Sequence, residues 1–369
     1  MPCMLPDHSS NTRQKPVQTQ AQAIREALDL CMGNDKNVIV VGEGVPDPKG
    51  IFGTTSGLMD KYGPSRVFDM PLSENGMTGI CIGASLSGMR PVMVHQRIEF
   101  ALLAMDQIIN NAAKWNYMFA GQNTVPLVIR MIIGRGWGQG PQHSQSLQSL
   151  FSHIPGLKVV MPVTAQDAKG MLISAIEDDN PVIFIEHRWL HPVTGEVSSG
   201  YYRESLDKAK VVRTGQHITV AAYSYMVLEA LEAAHVLAKQ HIEVEVIDMR
   251  SARPVDIAPV LASVKKTGHL VVADTGHITH GIAAEVISQV VERGFSDLNK
   301  APVRISSPDY PVPTSPYAAN DYYPEAVDIA RAILTIVGCQ GLVNEDAVVS
   351  DLQHTGAKDI PNPQFHGPF

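Results

Sequence analysis

The chain has 369 residues, with 29 basic and 37 acidic side chains and a formal net charge of −8. No basic run interrupts it, which argues against nucleic acid as a main partner. With 44% hydrophobic and 18% charged residues it is long and apolar enough for two cored domains, and no run of about 18 apolar residues offers a membrane span.

Met1 to Gln18 is polar and contains only Arg13 and Lys15 as bases. It fits neither a signal peptide nor a transit peptide, so a cytoplasmic location is expected. Cys3, Cys31, Cys81 and Cys339 are scattered without a CxxC spacing, which suits reduced thiols and argues against disulfides or a zinc knuckle.

In chain order, helical spacing of Ala23, Ile24, Ala27, Leu28 and Cys31 predicts a helix over 21–32, with Gly33 as its cap. Val38 to Val41 reads as a strand buried on both faces. A short strand at Val67 to Met70 leads into Leu72-Ser73-Glu74-Asn75-Gly76 and a glycine-rich helix with Gly76, Gly79 and Gly83. A strand over 91–96 and a long helix over 99–118 follow. Strands at 125–133, 158–161 and 181–185, with a helix over 165–177, complete a first βαβ domain over 17–190, after a polar segment at 1–16. A linker is expected over 191–210. The alternation restarts with strands at 218–222, 244–247, 269–273 and 303–306, and helices over 226–240, 256–266, 281–291 and 324–336. That predicts a smaller α/β domain over 211–338. An extended tail is expected over 339–369, ending in Pro361, Pro363 and Pro368.

Glu74 sits at a strand-to-helix turn, which in a parallel sheet lies at the carboxyl edge where ligands bind; on its own it reads more readily as a helix-capping or dipole-stabilising glutamate. Gly134-Arg135-Gly136-Trp137-Gly138-Gln139-Gly140 follows a strand but fails the GxGxxG fingerprint in every register, and no Lys-Ser or Lys-Thr makes it a P-loop. Its alternating glycines still permit close approach of a ligand or another chain. His143 follows at a loop expected to open a helix through Leu147, Leu150 and Phe151, a suitable position for proton transfer. His277 and His280 suggest a metal pair, but no third ligand is evident.

Five ordered runs carry a resemblance: Asp69 to Gly76; Asp106 to Ile108 with Asn110 to Lys114; Val125 to Arg130; Pro141 to Ser146; and His153 to Val160. Together they resemble the beta subunit of the thiamine-diphosphate-dependent first component of 2-oxo acid dehydrogenase complexes, nearest to the pyruvate and acetoin types. The resemblance spans roughly residues 17 to 337 and implies a transketolase-like pyrimidine-binding domain, a mainly parallel sheet with helices on both faces, and a transketolase C-terminal domain. It implies that Glu74 hydrogen-bonds N1′ of the aminopyrimidine. Leu72 and Phe100 would line the ring, Gln96 would offer a polar contact, and His143 would stand near the reacting carbon.

Asp178 and Asn180 fall in a segment that, by the same resemblance, binds a structural potassium ion. Arg97 and His95 depart from the family pattern and leave the substrate open. The Gly-Asp-Gly motif that holds the diphosphate through Mg2+ does not occur here. The resemblance therefore implies that the magnesium half belongs to an alpha chain, in an assembly of two alpha and two beta subunits that serves a lipoyl-bearing acyltransferase. A split transketolase or carboligase is the alternative expectation, and a non-catalytic scaffold subunit a third.

Overall fold

The computed structural model describes residues 15–136, 138–338, 343–352, 356 and 358–359. Cys3, Cys339, Trp137 and the closing prolines lie outside the described residues. Among the described residues no helix is long and apolar enough to cross a membrane.

The first domain carries β1 (Val17–Thr19), β2 (Val38–Val41), β3 (Val67–Phe68), β4 (Arg90–His95), β5 (Val128–Ile133), β6 (Lys158–Val160), β7 (Val182–His187) and β8 (Thr194–Glu196). The second carries β9 (Lys210–Arg213), β10 (Ile218–Ala222), β11 (Val244–Asp248), β12 (Ser251–Arg253), β13 (Leu270–His277) and β14 (Val303–Ser307). The main sheet runs β12-β6-β7-β5-β4-β2-β3, all parallel except β12; the second runs β14-β13-β10-β11-β9, all parallel except β9. Every residue of β2, β5 and β7 is buried, as in strands covered on both faces, and among them only Arg130, Glu186 and His187 are polar. The expected two-domain α/β architecture is present.

Several local expectations need correction. The first helix runs Gln20–Asn34, past Gly33, because a capping box between Thr19 and Gln22 fixes its start and Asp35 ends it. The long helix expected over 99–118 is present as one helical run from Ile98 to Met118, but its winding changes along the way, tightening to 3-10 at Leu102–Ala104 and widening to π at Gln107–Ala112. The linker is not loose: β8 pairs with β1, and Tyr202 donates from its hydroxyl to the Gln166 carbonyl on the helix Ala165–Glu177. Strand β12 crosses from the second half of the chain to pair with β6 at the edge of the first sheet, stitching the two domains. The tail is not simply extended, since the helix Glu345–Leu352 buries Val348 and Leu352 in the second core.

Cys31 and Cys81 are buried thiols, each pushed up to about 12 chiefly by burial, so neither is a ready nucleophile. In the middle of the main sheet Arg130 and Glu186 form a fully buried two-pronged ion pair, at 2.6 and 2.9 Å, with His191 also at 2.8 Å from Glu186. Burial pushes the Glu186 acid up, but Arg130 and His191 outweigh it and hold it at about 2. The depressed value means this contribution to stability is present above the ordinary carboxylate range near 4.5 and is lost as pH falls toward 2. Glu186→Gln leaves the Arg130 charge uncompensated and is expected to cost about 3–5 kcal/mol, read as a lower urea midpoint; an unchanged midpoint would refute it.

Candidate active site

At the carboxyl edge of the main sheet four segments converge. The segment after β2 brings Glu43, the end of β3 brings Asp69, the helix Glu74–Leu86 begins with Glu74, and Gln96 follows β4. Gln96 Nε2 donates to the Glu43 carbonyl at 2.9 Å, and Asp69 Oδ1 accepts the Gly44 amide at 3.1 Å. Burial and the nearby charges of Glu74 and Asp69 raise the Glu43 carboxyl above its usual range. Glu74 is only 5% exposed, and no described residue donates a hydrogen bond to its carboxylate. The helix it opens has no side-chain cap, so Glu74 is not spent as one. Its oxygens are not sealed from solvent, so with no described donor they are open to accept from a ligand at the sheet edge.

Phe100 and His143 meet edge to face, with ring centroids 5.6 Å apart, and both are half-buried. Glu99 aligns them: its Oε1 accepts the Gln145 amide at 2.7 Å, joining the helical turn that carries Phe100 to the loop that carries His143. Burial raises the Glu99 carboxyl, with the Gln145 amide opposing. His143 does not open a helix; it ends the 3-10 turn Gly140–Gln142, and the next helix begins at Gln148. Leu72 is 82% exposed and so lines the edge of the basin rather than its floor.

The glycine loop owes its composition to backbone shape. Gly134, Gly136, Gly138 and Gly140 have φ of +113, +148, +64 and +65°, a region other residues rarely enter. The close approach comes from the chain itself. A Cβ on Gly140 would stand 2.4 Å from Thr314 Oγ1, and one on Gly138 would stand 3.0 Å from the Thr314 carbonyl oxygen.

His95 is buried in β4, and burial lowers it to about 4, so it is neutral at pH 7. Arg97, also buried, donates to the Gln96 carbonyl and to Gln139 Oε1, which Arg188 Nη1 shares at 2.7 Å. Arg97 therefore braces the site from within, whereas His95 Nε2 is buried without a described partner. At the segment expected to hold potassium, the oxygens meet nearby side chains and amides. Arg90 Nη1 donates to the Ile176 and Asp178 carbonyls at 3.0 and 3.1 Å, and Lys158 pairs with the Asp178 carboxylate. The other Asp178 oxygen accepts the Asn180 amide at 2.9 Å. These oxygens already hold cationic side chains, and no acidic or histidine cluster fit for a metal exists among the described residues. His277 likewise gives its Nδ1 to the Pro308 carbonyl at 2.7 Å. Exchanging K+ for Na+ is expected to leave the melting temperature unchanged; a rise specific to K+ would restore the cation site.

Residues 17–193 match the transketolase pyrimidine-binding domain, and residues 207–329 match the transketolase C-terminal domain. Subunit beta-2 of the mitochondrial pyruvate dehydrogenase E1 component of Oryza sativa subsp. japonica is 44% identical over 321 residues, 85% of each chain. The chain belongs to the pyruvate and acetoin dehydrogenase beta-subunit family. A second member, the beta subunit of acetoin:2,6-dichlorophenolindophenol oxidoreductase of Cupriavidus necator, is 44% identical over 84% of this chain and 94% of its own. The pyruvate dehydrogenase E1 beta subunit of Rickettsia bellii is 40% identical over 85% and 97%. Among solved structures, a split gene transketolase in an inactive beta4 tetramer superposes with a TM-score of 0.71 at 23% identity, over 86% of this chain and 98% of that one. That likeness concerns the fold alone.

Within this beta-subunit fold, Glu43, Glu99 and Thr314 were not read from the sequence as site residues. Glu43 carried a weak signal, a carboxylate between two glycines directly after a buried strand. Thr314 carried none, because its partner loop is about 175 residues away in the chain.

Proposed function

We propose that this beta subunit provides the pyrimidine-binding half of a thiamine-diphosphate site that decarboxylates a small 2-oxo acid of the pyruvate type and passes the acyl group to a lipoyl arm. The observation that carries the reading is the Glu74 carboxylate, open to a donor at the sheet edge beside Glu43 and Gln96, with the Phe100–His143 ring pair carried on the turn that follows Gln96. That donor set fits an aminopyrimidine: a carboxylate for a ring nitrogen, an amide beside it and an aromatic edge. When bound, thiamine diphosphate supplies the electron sink that lets a 2-oxo acid lose carbon dioxide. Glu74 is placed to hold and share a proton at the pyrimidine nitrogen. His143, fixed against Phe100, is placed to exchange a proton with the reacting oxygen.

The diphosphate and its Mg2+ fall to an alpha chain, since the motif that holds them is missing here. An apolar surface supports that partnership: Leu72, Ile80, Leu103, Tyr117, Met118 and Phe119 are all more than two-fifths exposed, and Gly83 on the same helix as Ile80 faces open space.

The test is to assemble the chain with an alpha-type partner and assay a panel of 2-oxo acids with thiamine diphosphate, Mg2+ and an artificial electron acceptor. Turnover of pyruvate or a close homologue is expected. Turnover only of ketose donors with an aldehyde acceptor would overturn the reading.

A further inference from the structure

We infer that Asp359, outside both matched domains, is a positioning residue for the active-site loop that carries His143. A run with glycine at every second position is costly to order, so its neighbours must impose its shape. Thr314 packs beneath Gly138 and Gly140, and Gln139 is held by Arg97 and Arg188. The Gly138 amide goes to Asp359: Oδ2 accepts it at 3.1 Å, and Asp359 is only 4% exposed.

Lys358 anchors this contact to the second domain. Its amide donates to Asn320 Oδ1 at 3.3 Å, its ammonium donates to the Tyr323 carbonyl at 3.2 Å, and it stands 3.5 Å from Glu325 Oε2. Both matched domains end by residue 329, so the clasp comes from sequence beyond them. A charged acceptor is the stronger kind of partner for a backbone amide, and a loop held within a few tenths of an ångström is what an aligned proton-transfer residue requires. Asp359 acts only through the loop, at Gly138, about five residues before His143, and bonds to no group that exchanges a proton.

This rests on the proposed 2-oxo acid reading only for its kinetic arm. In the assembled enzyme, Asp359→Ala is expected to speed hydrogen exchange across 134–142 about tenfold or more. It is expected to lower kcat about tenfold while leaving the KM for thiamine diphosphate unchanged, because the Glu74 end of the basin is untouched. Asp359→Asn keeps an acceptor oxygen and should recover most of both losses. Unchanged exchange in the loop would overturn the inference, as would equal losses in the Asn and Ala variants. So would a kcat loss that merely follows a fall in assembly yield. If the unmodified assembly turns over no 2-oxo acid, the functional reading fails, and the exchange result still decides the role of Asp359.

Discussion

Glu74→Gln is expected to lower turnover by at least about 10²-fold while the assembly forms normally. Gln is nearly isosteric and leaves the helix Glu74–Leu86 and its packing unchanged. It removes only the ability to take up and return a proton at the pyrimidine nitrogen. Because no described residue donates to the native carboxylate, the change breaks no hydrogen bond within the chain. A fall in kcat without a fall in melting temperature would separate chemistry from stability. Full activity of the variant would end the assignment of Glu74. A change in the opposite direction, from the neighbouring acid, is a useful control. Glu43→Gln relieves a carboxyl that burial, Glu74 and Asp69 already strain upward, so it should disturb turnover less than Glu74→Gln.

His143→Ala is expected to cut overall turnover by about 10²-fold and to leave cofactor affinity unchanged. The ring packs on Phe100 and makes no other described hydrogen bond, ion pair or ring contact, so its loss opens space there but leaves the carboxylate end intact. Single-turnover decarboxylation, measured apart from transfer of the acyl group, should show the larger loss in transfer. Unchanged transfer would remove the role assigned to His143.

The fold was legible where periodicity and burial agree. Val38 to Val41 and the stretch 181–185 are apolar runs of the right length for doubly covered strands, and strands stand at Val38–Val41 and Val182–His187. The Glu74 turn was legible for the same reason, since a strand followed by a glycine-rich helix places its first residue at a sheet edge. Helix ends were less so. Gly33 looks like a stop in sequence, yet the capping box at Thr19 and the buried face of Ala27 and Leu28 carry the helix past it. The stitching strand Ser251–Arg253 was invisible because its partner is remote in sequence. The same holds for the glycine loop: sequence predicts close approach but not by what, and Thr314 and Asp359 reach it from far along the chain. Around Asp178 and Asn180 the sequence shows the local oxygens but not the distant Arg90 and Lys158 that bond to them.

The central claim is that this chain holds one half of a cofactor site. Titration calorimetry of thiamine diphosphate with Mg2+ tests it most directly, against this chain alone, the alpha-type partner alone, and their assembly. The account predicts saturable binding to the assembly, none to this chain alone, and weakened binding when the assembly carries Glu74→Ala. Tight binding to this chain alone, or binding to the assembly that ignores the Glu74 substitution, would contradict it.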